Sequence, residues 1–163
     1  MELIEPAHNT RRFRNALGQF ATGVTVITTH DENFGWVGIT ANSFASVSLE
    51  PPLVLWSPAR ASQRFDVFSE AIRYAIHVLR ADQREIADGF VKDWDAFGTA
   101  KWAENDHGVP ILTDCLARFE CKLSASHEGG DHVVVVGEVT QCALGTGAPL
   151  IFAAGRYGGF TDD

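Results

Sequence analysis

Apolar and polar positions along this chain alternate between a helical and an extended rhythm. Phe13, Leu17, Phe20 and Ala21 follow i, i+4, i+7, i+8 spacing. This predicts a helix capped by Thr10, burying that stripe and stopping at Gly23. Residues 24–29 are β-branched throughout and read as a central strand. A polar Asp31-Glu32-Asn33 turn leads to a second strand at 36–41. A short apolar strand is predicted at 53–57, followed by a helix that Ser62 caps and that runs to Ser69, with Phe65 and Phe68 inward. Residues 74–79 read as a strand and 82–91 as a helix. Residues 92–110 set Trp94, Phe97 and Trp102 among charges, and predict a helix fragment within a structured excursion.

The remainder predicts a hairpin, 116–126 and 132–142, closed by Glu128-Gly129-Gly130-Asp131, whose glycines tolerate positive φ. Residues 149–154 supply a last strand. Many strands, few helices and sharp turns point to a mostly β barrel or sandwich rather than a doubly wound sheet.

Length and charge narrow the class. With 163 residues, the chain is expected to form one domain over 10–163 behind a flexible lead-in at 1–9. Its 45% hydrophobic and 21% charged content is that of a globular protein. A net charge of −8, with no run of Lys or Arg, argues against a nucleic-acid surface. No segment approaches the ~20 apolar residues of a membrane span. The acidic, Pro-containing start Met1-Glu2-Leu3-Ile4-Glu5-Pro6 is unlike a signal peptide. Cys115, Cys121 and Cys142 form no C-x-x-C pair, which favours free thiols and a cytoplasmic setting.

Several chemistries lack their motifs. No G-x-G-x-x-G opens a βαβ unit, no G-x-x-x-x-G-K-[ST] is present, and Ser46 and Ser48 sit in no G-x-S-x-G elbow. His127 and His132 have no acidic or thiol partner at ligand spacing, so a metal site is not expected. The chemistry concentrates elsewhere. Thr40, Asn42, Ser43, Ser46 and Ser48 crowd neutral donors between two apolar runs, before Pro51-Pro52. Such a segment can hold a polar, anionic small molecule without strong positive charge. It can equally be a Ser-rich loop whose hydroxyls satisfy their own backbone.

The run Thr40-Ala41-Asn42-Ser43-Phe44-Ala45-Ser46-Val47-Ser48, closing on Pro51-Pro52-Leu53, resembles the signature region of the short-chain flavin reductases. Residues 13–29, Pro110-Ile111-Leu112, Gly130-Asp131-His132 and Gly155-Arg156-Tyr157 resemble further family motifs in family order, over roughly residues 11–160. The resemblance implies a split β-barrel, a homodimer and NAD(P)H-dependent flavin reduction. Hydride would pass to flavin N5, and reduced flavin would go to a separate monooxygenase. It leaves FMN or FAD, and NADH or NADPH, undecided. An enzyme that retains its flavin, and a flavin carrier or sensor, stay open as alternatives.

Four candidate sites follow. The resemblance places Thr40, Ala41, Asn42 and Ser43 on the flavin, with Asn42 and Ser43 donating to its oxygens. Ser57, Pro58, Ser62, Gln63 and Arg64 span a strand end and a predicted helix N-terminus, a ready anion site. The family's phosphate-binding loop lies there; Arg60 is a further cation nearby. Gly130-Asp131-His132 resembles the segment whose histidine contacts the nicotinamide, so His132 is expected to place that cofactor, with Asp131 shaping the turn. Arg156 and Tyr157 are expected near the flavin or the nicotinamide.

Overall fold

In the computed structural model, which describes residue 1 and residues 3–160, twelve strands pair antiparallel and, with three α-helices, enclose two apolar clusters. The principal sheet has seven strands in the order β3-β2-β6-β9-β10-β5-β4. These are β2 (Thr25–Asp31), β3 (Gly35–Ala41), β4 (Ala45–Leu49), β5 (Pro52–Trp56), β6 (Arg73–Val78), β9 (Ala117–Gly129) and β10 (His132–Leu144). A second sheet pairs β1 (Thr22–Gly23), β11 (Leu150–Ala153) and β12 (Arg156–Gly159), and a small ribbon pairs β7 (Trp102–Glu104) with β8 (Pro110–Leu112). The helices are α1 (Thr10–Leu17), α2 (Phe65–Glu70) and α3 (Arg84–Lys92).

The mostly β expectation holds, and β2 lies inside the sheet, paired on both sides and buried from Thr25 to Thr29, as its unbroken β-branched run predicts. The β2–β3 turn is held by the Asp31 carboxylate, which accepts from the amides of Asn33 and Phe34 at 2.8 and 3.1 Å. Segment 92–110 resolves into a 3₁₀ turn (Ala96–Thr99) and the β7–β8 ribbon. Phe97 and Trp102 meet Phe90 of α3 edge to face at 5.0 and 5.7 Å.

Several expectations are corrected. Helix α1 is capped by Asn9, whose side chain accepts from the Arg12 amide; Thr10 is already helical. It ends at Leu17, not at Gly23, because Gly18 continues into a turn and Thr22–Gly23 pairs with β11. Its stripe is not buried: Phe13, Leu17 and Phe20 are 40%, 59% and 80% exposed, since no other element among the described residues covers them. Ser62 does not cap α2; its hydroxyl accepts from the Arg64 amide and the helix begins at Phe65. The segment 45–49 is an edge strand, not a loop. In the long hairpin only Gly130 and Asp131 lie between the strands, with Gly130 at φ 74°. A strand beyond 154 exists: Ala154 and Gly155, at φ 48° and 76°, turn β11 back into β12.

One buried polar residue carried no signal in the sequence. His77 of β6 is fully enclosed; its Nδ1 bonds the Val26 carbonyl at 2.9 Å and its Nε2 accepts from the Leu112 amide at 3.1 Å. A neutral Nδ1–H tautomer satisfies both partners at once. Burial pushes its pKa down from 6.5 to about 3.

Candidate functional site

Strand β3 and helix α3 create the first part of the site. Gly38 lets them touch: a Cβ there would overlap the Phe90 ring, 2.6 Å from its Cδ1. Two residues on, the Thr40 hydroxyl donates to the Ala87 carbonyl of α3 at 2.7 Å, and Thr25 donates to the Ala41 carbonyl at 2.7 Å. Thr40 is therefore a strut between strand and helix. With both neighbours fixed, Thr40, Ala41 and Asn42 line a cavity of about 180 Å³ with Val24, Val91, Phe152 and Tyr157. Apolar walls with a few polar groups suit a flat heteroaromatic ring that has one apolar and one hydrogen-bonding edge, as a flavin has.

Tyr157 reaches this cavity from β12. Its ring meets Phe152 at 5.3 Å, and Arg84 of α3 lies over its face at 4.9 Å. Burial and the nearby Asp88 carboxylate raise its pKa. Arg156 precedes it in the strand and is exposed, since consecutive strand residues point to opposite faces. The cation paired with Tyr157 is Arg84, not its sequence neighbour.

Ser43 joins this cavity to the next segment. Its hydroxyl accepts from the Ser57 amide at 3.0 Å and donates to the Ser57 carbonyl at 3.4 Å, stapling the end of β5 to the 40–43 segment. That leaves Asn42 as the side-chain amide in the cavity. The loop beyond is shaped by its own bonds. Arg60 pairs with Glu128, bonds the Gly130 carbonyl at 3.3 Å and lies over the Phe65 ring at 5.3 Å. A helix-dipole anion site at Ser62 is not built, because α2 is six residues long and starts three residues later. Arg64 instead donates to the Phe90 carbonyl at 2.6 Å, beside the C-terminal end of α3 where a cation is favoured. Partial burial lowers its guanidinium pKa, and Asp93 opposes that shift. Gln63 and Arg64 line a second recess, of about 510 Å³, with Phe34, Lys92, Asp93 and Trp94.

The Gly130-Asp131-His132 turn docks on the same loop. Arg60 donates its amide to the Asp131 carbonyl at 2.9 Å, Val133 donates to the Pro58 carbonyl at 3.1 Å, and Ala59 bridges His132. His132 donates through Nδ1 to the Asp131 carboxylate at 2.8 Å, and that bond holds the Asp131 pKa below its ordinary range. The donation fixes the tautomer and leaves Nε2 as the ring nitrogen available to a ligand. Asp131 thus orients the imidazole as well as shaping the turn.

The structure therefore brings Thr40, Ala41, Asn42 and Tyr157 to one cavity and bonds Ser43 to Ser57. Pro58 sits against the His132 turn, while Gln63 and Arg64 open into the recess. Arg156 stands apart on the outer hairpin. Val24, Val91 and Phe152 complete the first cavity and had no polar signature to mark them.

Comparison with known proteins decides the family. Residues 17–161 match the Flavin reductase like domain. This chain belongs to that family. It is 53% identical over 158 residues to the FMN reductase (NADH) SmoA of Agrobacterium fabrum, covering 97% of this chain and 90% of that one. It is 41% identical to HsaB of Rhodococcus jostii, the reductase subunit of a flavin-dependent monooxygenase, covering 99% and 82%. Among solved structures, the NADH:FAD oxidoreductase SgcE6 of Streptomyces globisporus, in complex with NAD and FAD fragments, aligns with a TM-score of 0.91. Its identity is 34%, with 100% of this chain and 99% of that chain covered. The fold is that of the flavin reductases.

Proposed function

We propose that this chain is an NAD(P)H-dependent flavin reductase that reduces free or loosely bound FMN or FAD and supplies it to a separate monooxygenase component. The observation that carries the reading is the Thr40–Asn42 cavity between β3 and α3, in a chain that shares its family with the reductases above. A reduced nicotinamide supplies the hydride and flavin N5 accepts it. The protein's part is orientation and the exclusion of water.

Val24, Val91, Phe152 and Tyr157 wall the ring site, and Asn42 offers amide donors and an acceptor to its polar edge. The backbone of 40–42, held by Thr25 and Thr40, gives that edge a rigid rail. Ser57, Pro58, Ser62, Gln63 and Arg64 are assigned to the flavin phosphate side. His132, oriented by Asp131, is assigned to nicotinamide placement, Tyr157 to the cavity wall and Arg156 to the outer rim. Residues 10–163 act as one domain.

A second copy is supported by the exposed Phe13 and Leu17 of α1, Phe20 just beyond it, and Val47 and Leu49 of β4, apolar surface that a homodimer would cover. Three unpaired cysteines support a reducing, cytoplasmic setting. The test is steady-state oxidation of NADH and of NADPH with and without added FMN or FAD. Turnover that saturates with free flavin is expected; flavin binding without turnover in any combination overturns the proposal.

A further inference from the structure

The β9–β10 hairpin that carries His132 outruns the sheet that supports it. Strand β6 pairs with β9 only as far as Lys122, and β5 pairs with β10 only from Glu138 to Val135. The tip beyond is a two-stranded ribbon, and two strands alone are marginally stable in water. Val133 is still tied to the Pro58 carbonyl. From residue 124 to residue 132, every hydrogen bond to the rest of the described residues is made by Arg60. Its amide donates to the Asp131 carbonyl at 2.9 Å, its Nε to the Gly130 carbonyl at 3.3 Å, and its Nη2 to the Glu128 carboxylate. One residue thus grips the turn from β9 across to the aspartate that orients the imidazole. The guanidinium is itself braced over the Phe65 ring, 5.3 Å from the centroid, at the start of α2.

We propose that Arg60 is a positioning residue for His132, holding the hairpin tip so that the imidazole meets the nicotinamide. Arg60 is not spent on the flavin phosphate, because Nε and Nη2 are already engaged within the chain. An exposed Arg–carboxylate pair adds little to folding, so the effect of this one lies in where it sets the turn. Misplacing a cofactor-contacting group by ~1 Å costs far more in turnover than such a pair contributes to stability. The planar fork matters here. It holds a carbonyl and a carboxylate in fixed directions, whereas a lysine offers a point charge on a flexible stem.

This role rests on the proposed assignment of His132 to the nicotinamide, so one readout follows turnover and another does not. Arg60→Ala, Arg60→Lys, His132→Ala and the double variant Arg60→Ala/His132→Ala are compared for KM of NADH and, by flavin fluorescence, for flavin Kd. Arg60→Ala should raise KM about fivefold and leave the flavin Kd unchanged. Arg60→Lys should behave like Arg60→Ala, and Arg60→Ala should add nothing once His132 is gone. A purely structural role, or direct contact between Arg60 and a cofactor, would multiply the two effects instead.

An unchanged KM in Arg60→Ala, a lysine variant equal to wild type, a full further rise in the double variant, or weakened flavin binding overturns the proposal. A wild type that oxidises no nicotinamide, or a His132→Ala variant with unaltered KM, removes the reading of His132 instead. Amide ¹⁵N relaxation at Gly130, Asp131 and His132 then decides whether Arg60 positions the turn. Order parameters of about 0.85 in wild type should fall below about 0.6 in Arg60→Ala. A tip that stays as ordered without the guanidinium overturns the proposal.

Discussion

Acid should unfold this protein through His77, and the size of the effect follows from its two bonds. In the folded state Nε2 accepts from the Leu112 amide and Nδ1 bonds the Val26 carbonyl, so a second ring proton would face an N–H donor inside the core. Arg118 adds charge of the same sign. The folded pKa is therefore depressed to about 3, while the unfolded chain titrates at 6.5. Below 6.5 the unfolded state binds a proton that the folded state refuses, so stability is complete above that pH and is lost as pH falls towards 3. Each pH unit in the window costs about 1.4 kcal/mol. Between pH 7.5 and 4.5 the loss from this one group is roughly 2–3 kcal/mol, a large share of an ordinary folding free energy.

The perturbation is His77→Gln, which keeps an amide donor and acceptor but cannot titrate. Urea denaturation of both proteins at pH 7.5 and 4.5, at one protein concentration, isolates the group because every other titration is shared. Wild type should lose roughly 2–3 kcal/mol more than the variant across that interval. Equal acid losses would refute the reasoning. Should the variant fail to fold, the wild-type imidazole nitrogens provide the same test by NMR: they stay neutral at pH 5, and a protonated ring at that pH refutes the buried tautomer.

Two further outcomes follow from the site. Gly38→Ala drives a methyl into the Phe90 ring and pushes α3 off β3; it should cost ~1–3 kcal/mol in urea denaturation and weaken flavin binding. Gly23→Ala, with open space around it, is the control that changes neither. His132→Ala should raise KM for NADH about tenfold without moving the flavin Kd, because its free nitrogen is assigned to the nicotinamide; an equal loss in both measurements removes that role.

Helix α1 shows the limit of pattern reading most clearly. Its periodic Phe13 and Leu17 specified an amphipathic helix, though Phe20 falls beyond its end, and periodicity records that a face is apolar and not what covers it. Ser62 fails for a related reason. Its hydroxyl suits a cap, yet the backbone bonds it makes locally start a turn before the helix does. His77, Val24, Val91 and Phe152 lay outside sequence reasoning altogether. A buried histidine and three cavity-wall hydrophobes are, as residue types, indistinguishable from other strand and helix residues.

What the sequence by itself determined is what neighbours in the chain decide. The β-branched run of β2, the glycine-bearing hairpin turn and the motif order that marks the flavin reductase family all rest on local spacing. Only the tertiary structure decided which hydroxyls were free. Thr40 is bonded to α3, Ser43 to Ser57, and Arg60 to Glu128, in each case a partner at least 14 residues away in the chain. Hydrogen-bonding capacity is a property of the residue; whether it remains for a ligand depends on who else reaches it first in space.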